Sequence, residues 1–188
     1  MPLVLFSLLD GRIPVGAATL AGTAAALVVV AVMARKGVPV LPIVQAITLA
    51  VLSVIAFTGD AQTQHFLGDY GRGIASLVLA AYMLTTAPVA PFTATIARAD
   101  VPREMWKSPH FIALNRKISS AWGAAVLVMG LAHLASAAAG SSLRPFQQHL
   151  LEWGPVIVAV LLALRYTRRT VADAQSARPA VPQPPRAY

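Results

Sequence analysis

An all-α, polytopic membrane fold with about five transmembrane helices is what this sequence predicts, and three observations predict it. Apolar stretches recur near 15–34, 41–58, 73–92, 119–139 and 147–167 of the 188 residues. Composition is 57% hydrophobic and only 12% charged, about half the charged share of an ordinary soluble domain. Positive charge also alternates between rich and poor in successive connections. About 20 apolar residues match the roughly 30 Å hydrocarbon core of a bilayer. In lipid each backbone amide must be satisfied within its own segment, so such stretches are helices.

The charge pattern sets the expected orientation. Arg35 and Lys36, then Arg98, Arg103, Lys107, Arg116 and Lys117, then Arg165, Arg168, Arg169, Arg178 and Arg186 fall on one side. Only Arg12, Arg72 and Arg144 fall on the other. Lys and Arg are retained on the cytoplasmic face, so the N-terminus is expected outside and the C-terminus inside, in a bacterial inner membrane. The net charge of +8 is thereby assigned to topology and to anionic lipid headgroups rather than to nucleic acid. The chain has no cysteine, which excludes disulfides, thiolate metal sites and cysteine nucleophiles.

The elements follow in order. Met1–Asp10 lacks a basic n-region, so it does not read as a cleaved signal. Its run Leu3–Leu9 is too short to span and reads as an interfacial or re-entrant half-helix. The first span carries Ala18, Gly22 and Ala26 at the four-residue spacing that lets helix backbones approach; they serve either a dimer seam or packing within the chain. Pro39 and Pro42 precede the second span, where proline suits a first turn, and Gly59-Asp60 ends it. The third span is expected to begin after Tyr70-Gly71-Arg72-Gly73 and to end or kink at Pro88 and Pro91.

The third connection, Phe92–Ile118, offers two helix starts, at Asp100/Pro102 and at Ser108-Pro109. From Pro109 no proline intervenes until Pro145. A continuous helix over 109–139 would be about 46 Å long, so about three turns must project beyond the bilayer core. Phe111, Leu114 and Ile118 share one face of those turns, with Arg116 and Lys117 off it. With Trp106 nearby, this amphipathic cytoplasmic connection reads either as a surface-bound entry along the headgroups or as an ordinary basic loop with an aromatic anchor. The fifth span needs residues from about 147 onward to reach full length, which places Glu152 near the outer interface and Pro155 inside. Residues 1–168 form one helical membrane domain, and the Pro-rich tail 169–188 is expected to be disordered.

Candidate chemistry is sparse. An ionisable group at membrane depth is the default functional hypothesis, and His133 is the candidate, with no carboxylate expected beside it. Gln45 and Thr48 are the other candidate intramembrane polar residues. His65 with Asp60 and Asp69 makes at most a weak external cation site. No catalytic residue, metal site or cofactor site can be assigned, so the chain reads as non-enzymatic.

Certain residues carry a resemblance. Pro2-Leu3-Val4-Leu5-Phe6 precedes the Ala-rich first span and Ala34-Arg35-Lys36, and Ala56-Phe57-Thr58-Gly59 closes the second span. Trp106 stands ahead of Leu114-Asn115-Arg116, which lead to Ser120-Ala121-Trp122-Gly123 and the run Val128–Leu134. Over about residues 2–168 this resembles the intracellular septation protein A family of bacterial inner-membrane proteins. There, a Trp, an Asn and a second Trp open the fourth span after a basic loop; Trp106, Asn115 and Trp122 match. The longer third connection, the Pro88/Pro91 pair and the Pro-rich tail depart from the family pattern. The resemblance implies a non-enzymatic scaffold in septation or envelope maintenance, contacting other membrane proteins of that machinery. Trp106, Asn115, Arg116, Lys117 and Trp122 would be its interaction residues. A small transporter or channel subunit, forming a homo-oligomer through the Ala18/Gly22/Ala26 face, is the alternative; a polar cavity around Gln45, Thr48 and His133 would mark it.

Overall fold

The computed structural model describes residues 14–34 and 40–176, and all regular structure among them is helical. The helices are α1 (Val15–Ala34), α2 (Val40–Thr58), α3 (Ala61–Thr86), the short α4 (Phe92–Ala97), α5 (Pro109–Ala139) and α6 (Pro145–Ser176). Single 3-10 turns lie at Arg103–Met105 and Gly140–Ser142. Four helices, α1, α2, α5 and α6, are long and apolar enough to cross a membrane.

Side-chain contacts fix the relative directions. Gly16 of α1 lies against the Phe57 ring, and Thr23 reaches Ser53 at 3.4 Å, so α1 and α2 are antiparallel. Gly73 of α3 faces Leu134 and Gly130, while Gly123 of α5 faces Met83 and Leu84. As numbers rise along α3 they fall along α5. Trp122 bonds Thr167, and His133 meets Trp153, so α5 and α6 also run in opposite directions. Leu52, Ala56, Leu67 and Ala75 form a buried cluster that joins α2 to α3. The bundle is therefore an up-and-down series in which α3 stands between the α1–α2 and α5–α6 hairpins.

Local sequence explains most helix ends. Asp60 caps α3, accepting from the Thr63 amide at 2.8 Å, and hydrogen bonds from the Thr63 side chain and backbone hold its carboxyl below the ordinary range. Ser108 caps α5 from the Phe111 amide at 3.2 Å with Pro109 in the first turn, an arrangement that satisfies an orphan amide and uses proline where its missing N–H costs nothing. Gly140, at φ +48°, ends α5 in a conformation that side chains rarely adopt.

The structure corrects four expectations. The third helix starts at Ala61, not after Gly73, because Asp60 caps it there; Gly71 and Gly73 are buried inside it. It ends at Thr86, before Pro88. The sixth helix continues to Ser176, so 169–176 are helical; Ala172 and Ala174 suit helix, and basic side chains project into solvent. The face of Phe111 and Ile118 is turned into the protein, both being buried, because α4 folds back over it. Asp100/Pro102 opens only a 3-10 turn. The segments Leu3–Leu9 and 177–188, Arg12, and the Arg35–Pro39 connection lie outside the described residues.

The bundle turns apolar side chains outward. Leu27, Val28 and Val32 of α1, Val54 and Phe57 of α2, and Leu161 and Leu162 of α6 are all more than half exposed. An apolar face of that extent fits lipid rather than water.

Candidate polar site at the α3–α5–α6 junction

Arg72 of α3 and Glu152 of α6 form the site. The Arg72 Nη2 donates to Glu152 Oε1 at 3.0 Å, and both side chains are largely buried. Arg72 is on the twelfth position of α3, about 16 Å from its start at 1.5 Å per residue. Placing charge among apolar helices is costly unless the partner is in reach. Here the antiparallel series delivers the partner from a helix far along the chain.

His133 of α5 stands beside this pair, buried, with its ring edge-to-face against Trp153 at 6.3 Å between centroids. Ser136, one turn on, is fully buried. His133 Nδ1 and Ser136 Oγ have no hydrogen-bond partner among the described residues. Next to them, a cleft of about 380 Å³ is lined by His65, Asp69, Arg72, Gln148 and Glu152 with Ala137, Gly68 and Gly140. The expectation that no carboxylate accompanies His133 is overturned: Glu152 is buried beside it, paired with Arg72 and next in sequence to Trp153, whose ring meets that of His133. The sequence hid this because Glu152 and Arg72 each sit beside a turn in linear order, and only the packing of α3 and α6 on the intervening α5 brings them together.

His65 Nδ1 contacts Asp69 Oδ2 at 3.0 Å on an exposed helix turn, while Asp60 is engaged in capping. Among the described residues no three His, Cys, Asp or Glu side chains converge as a metal site. Gln45 and Thr48 lie toward the opposite end of α2 from Thr58, half-buried; Thr48 donates to the Val44 carbonyl at 2.9 Å. They are not brought to His133.

Trp106, Asn115, Arg116, Lys117 and Trp122 lie toward the other end of α5. Trp106 Nε1 donates to Val101 O at 2.8 Å, and Arg98 and Arg103 stand 5.5 and 5.7 Å from the centre of its ring, close enough for cation–π attraction. Asn115 is buried and donates to Phe111 O within α5. Its own carbonyl accepts from Thr93 Oγ1 at 3.0 Å, and Thr93 also meets Ser119 Oγ at 2.9 Å. This network, which fastens α4 to α5, was not legible in the sequence. Trp122 Nε1 donates to Thr167 Oγ1 at 3.2 Å. Arg116 and Lys117 are exposed. Ala18, Gly22 and Ala26 are buried inside the chain.

No family model, curated protein or solved structure matches the chain.

Proposed function

We propose that this chain is a non-enzymatic scaffold of a bacterial inner membrane, crossing it five times with the N-terminus outside and the C-terminus in the cytoplasm. The fifth crossing is α3. Supporting this, α3 joins two hairpins whose helices suit a bilayer and runs antiparallel to α5. Its 26 residues give about 39 Å of helix, enough to span. The basic α4 region, the start of α5 and the end of α6 then face the cytoplasm, as positive charge requires.

The observation that favours a scaffold over a transporter is the seam between α3 and α5. A Cβ on Gly123 would come within 2.8 Å of Leu84 Cδ2, and one on Gly130 within 2.8 Å of Leu77 Cδ2. Contacts this close argue against a solute path along the α3–α5 seam itself. Partners of envelope or septation machinery would meet the Arg98–Trp106–Arg103 cluster, whose charges face outward. Asn115 is withdrawn from that contact by burial, and it acts by holding α5 to α4.

A photo-crosslinker at Lys107 tests this in cells. The scaffold predicts a discrete membrane-protein adduct, lost on Trp106→Ala while membrane insertion is retained, and no solute flux in liposomes. Unchanged adducts in Trp106→Ala, or flux above that of lipid alone, would overturn it.

A further inference from the structure

At the cytoplasmic end, α5 and α6 part to leave a second cleft of about 370 Å³, lined by His110, Leu114, Lys117, Tyr166, Thr170 and Asp173 with two alanines. Lys117 and Asp173 carry opposite charges into one cleft, yet neither forms an ion pair with any described residue. The register set by Trp122 and Thr167 brings the two to about the same height on their antiparallel helices. Along α5, Lys117 and the Ala137 of the external cleft are about 30 Å apart at 1.5 Å per residue, the thickness of the hydrocarbon core. Lys117 is also the last charged residue before the apolar run of α5. The cytoplasmic cleft thus sits at a headgroup level.

We propose that this cleft holds the headgroup of an aminophospholipid, a phosphoethanolamine lying across it from Lys117 to Asp173. The phosphate takes donors from Lys117, from a His110 ring N–H and from the Tyr166 hydroxyl. The ammonium group donates to Asp173 and to Thr170 Oγ1, which already donates its own proton to the Tyr166 carbonyl at 2.8 Å and so faces the ligand as an acceptor. A purely anionic headgroup would satisfy Lys117 and be repelled by Asp173. A headgroup without N–H protons, such as choline, could not donate to Asp173. Charge-assisted hydrogen bonds at both ends are what select the lipid. The proposal rests on the membrane topology above and adds the chemistry of one bound lipid to it.

The test uses the full chain in vesicles and nanodiscs of equal phosphatidylethanolamine, phosphatidylglycerol and phosphatidylcholine, with retained lipid read by native mass spectrometry. The expected result is one retained phosphatidylethanolamine, with retention falling about tenfold in Lys117→Gln and in Asp173→Asn, the loss of one charged hydrogen bond. Two results overturn the proposal: phosphatidylglycerol retained at least as well and strengthened by Asp173→Asn, which is a plain anion site, or phosphatidylethanolamine retained equally by both variants. Flotation with the vesicles is scored separately. A chain that fails to float would refute the membrane topology itself, whereas one that floats without selective retention refutes only the lipid site.

Discussion

Arg72 and Glu152, 80 positions apart, meet at 3.0 Å and tie α3 to α6. The pair closes the His133 end of the bundle, because α6 otherwise touches the rest of the chain chiefly through α5. Arg72→Met leaves the Glu152 carboxylate buried without this partner, a loss of about 3–5 kcal/mol, and Glu152→Leu takes the same bond from Arg72. Arg72→Met and Glu152→Leu should each lower the thermal midpoint in detergent strongly. The double variant should recover most of the loss. A double variant as unstable as the sum of the singles would show that the two charges do not act as a pair.

The α3–α5 seam should distinguish glycines by what surrounds them. Gly130→Ala places a Cβ 3.2 Å from the Leu77 backbone nitrogen, which a rotamer change cannot relieve. It should cost about 1–3 kcal/mol. Gly68→Ala meets nothing within 4 Å and should stabilise α3 by about 0.5–1 kcal/mol through helix propensity. Thermal unfolding of the two variants side by side checks the contrast.

Ser119→Ala removes the acceptor for the Thr93 amide and the partner of its hydroxyl. The loss should be about 1–3 kcal/mol, and it should be local. Hydrogen exchange should rise in α4 while α1 and α2 keep their protection.

The Asp60 cap gives a pH dependence whose sign is fixed. Its carboxyl is held below the ordinary range by the Thr63 hydrogen bonds, so the folded state binds its proton less readily than the unfolded chain. The stabilisation is complete above the unfolded value of about 3.9 and disappears as pH falls through the lower folded value. Asp60→Asn should keep the cap and flatten this acid limb in a melting-point titration. Asp60→Ala should lose the cap at every pH.

Much of the architecture was legible because its causes are local. The Ser108-Pro109 start and the long proline-free run set α5, and apolar length set α1 and α2. Where expectations missed, nonlocal or capping contacts decided. Arg72 looked like a loop residue until Asp60 began the helix twelve positions before it. Glu152 looked interfacial until α3 supplied a cation. The Phe111 and Ile118 face looked lipid-bound until Thr93 pinned α4 across α5. Interaction roles for Trp106 and Trp122 were expectations of the resemblance alone; the structure shows their bonds to Val101 and Thr167.

The central claim is that α3 crosses the membrane, and its two ends supply the most direct measurement. The chain has no cysteine of its own, so Gln62→Cys and Lys107→Cys each carry a single thiol. An impermeant maleimide applied to intact spheroplasts should label Gln62→Cys directly, and Lys107→Cys only after permeabilisation. Labelling of both positions from the same side would contradict the crossing, and with it the placement of the basic cluster in the cytoplasm.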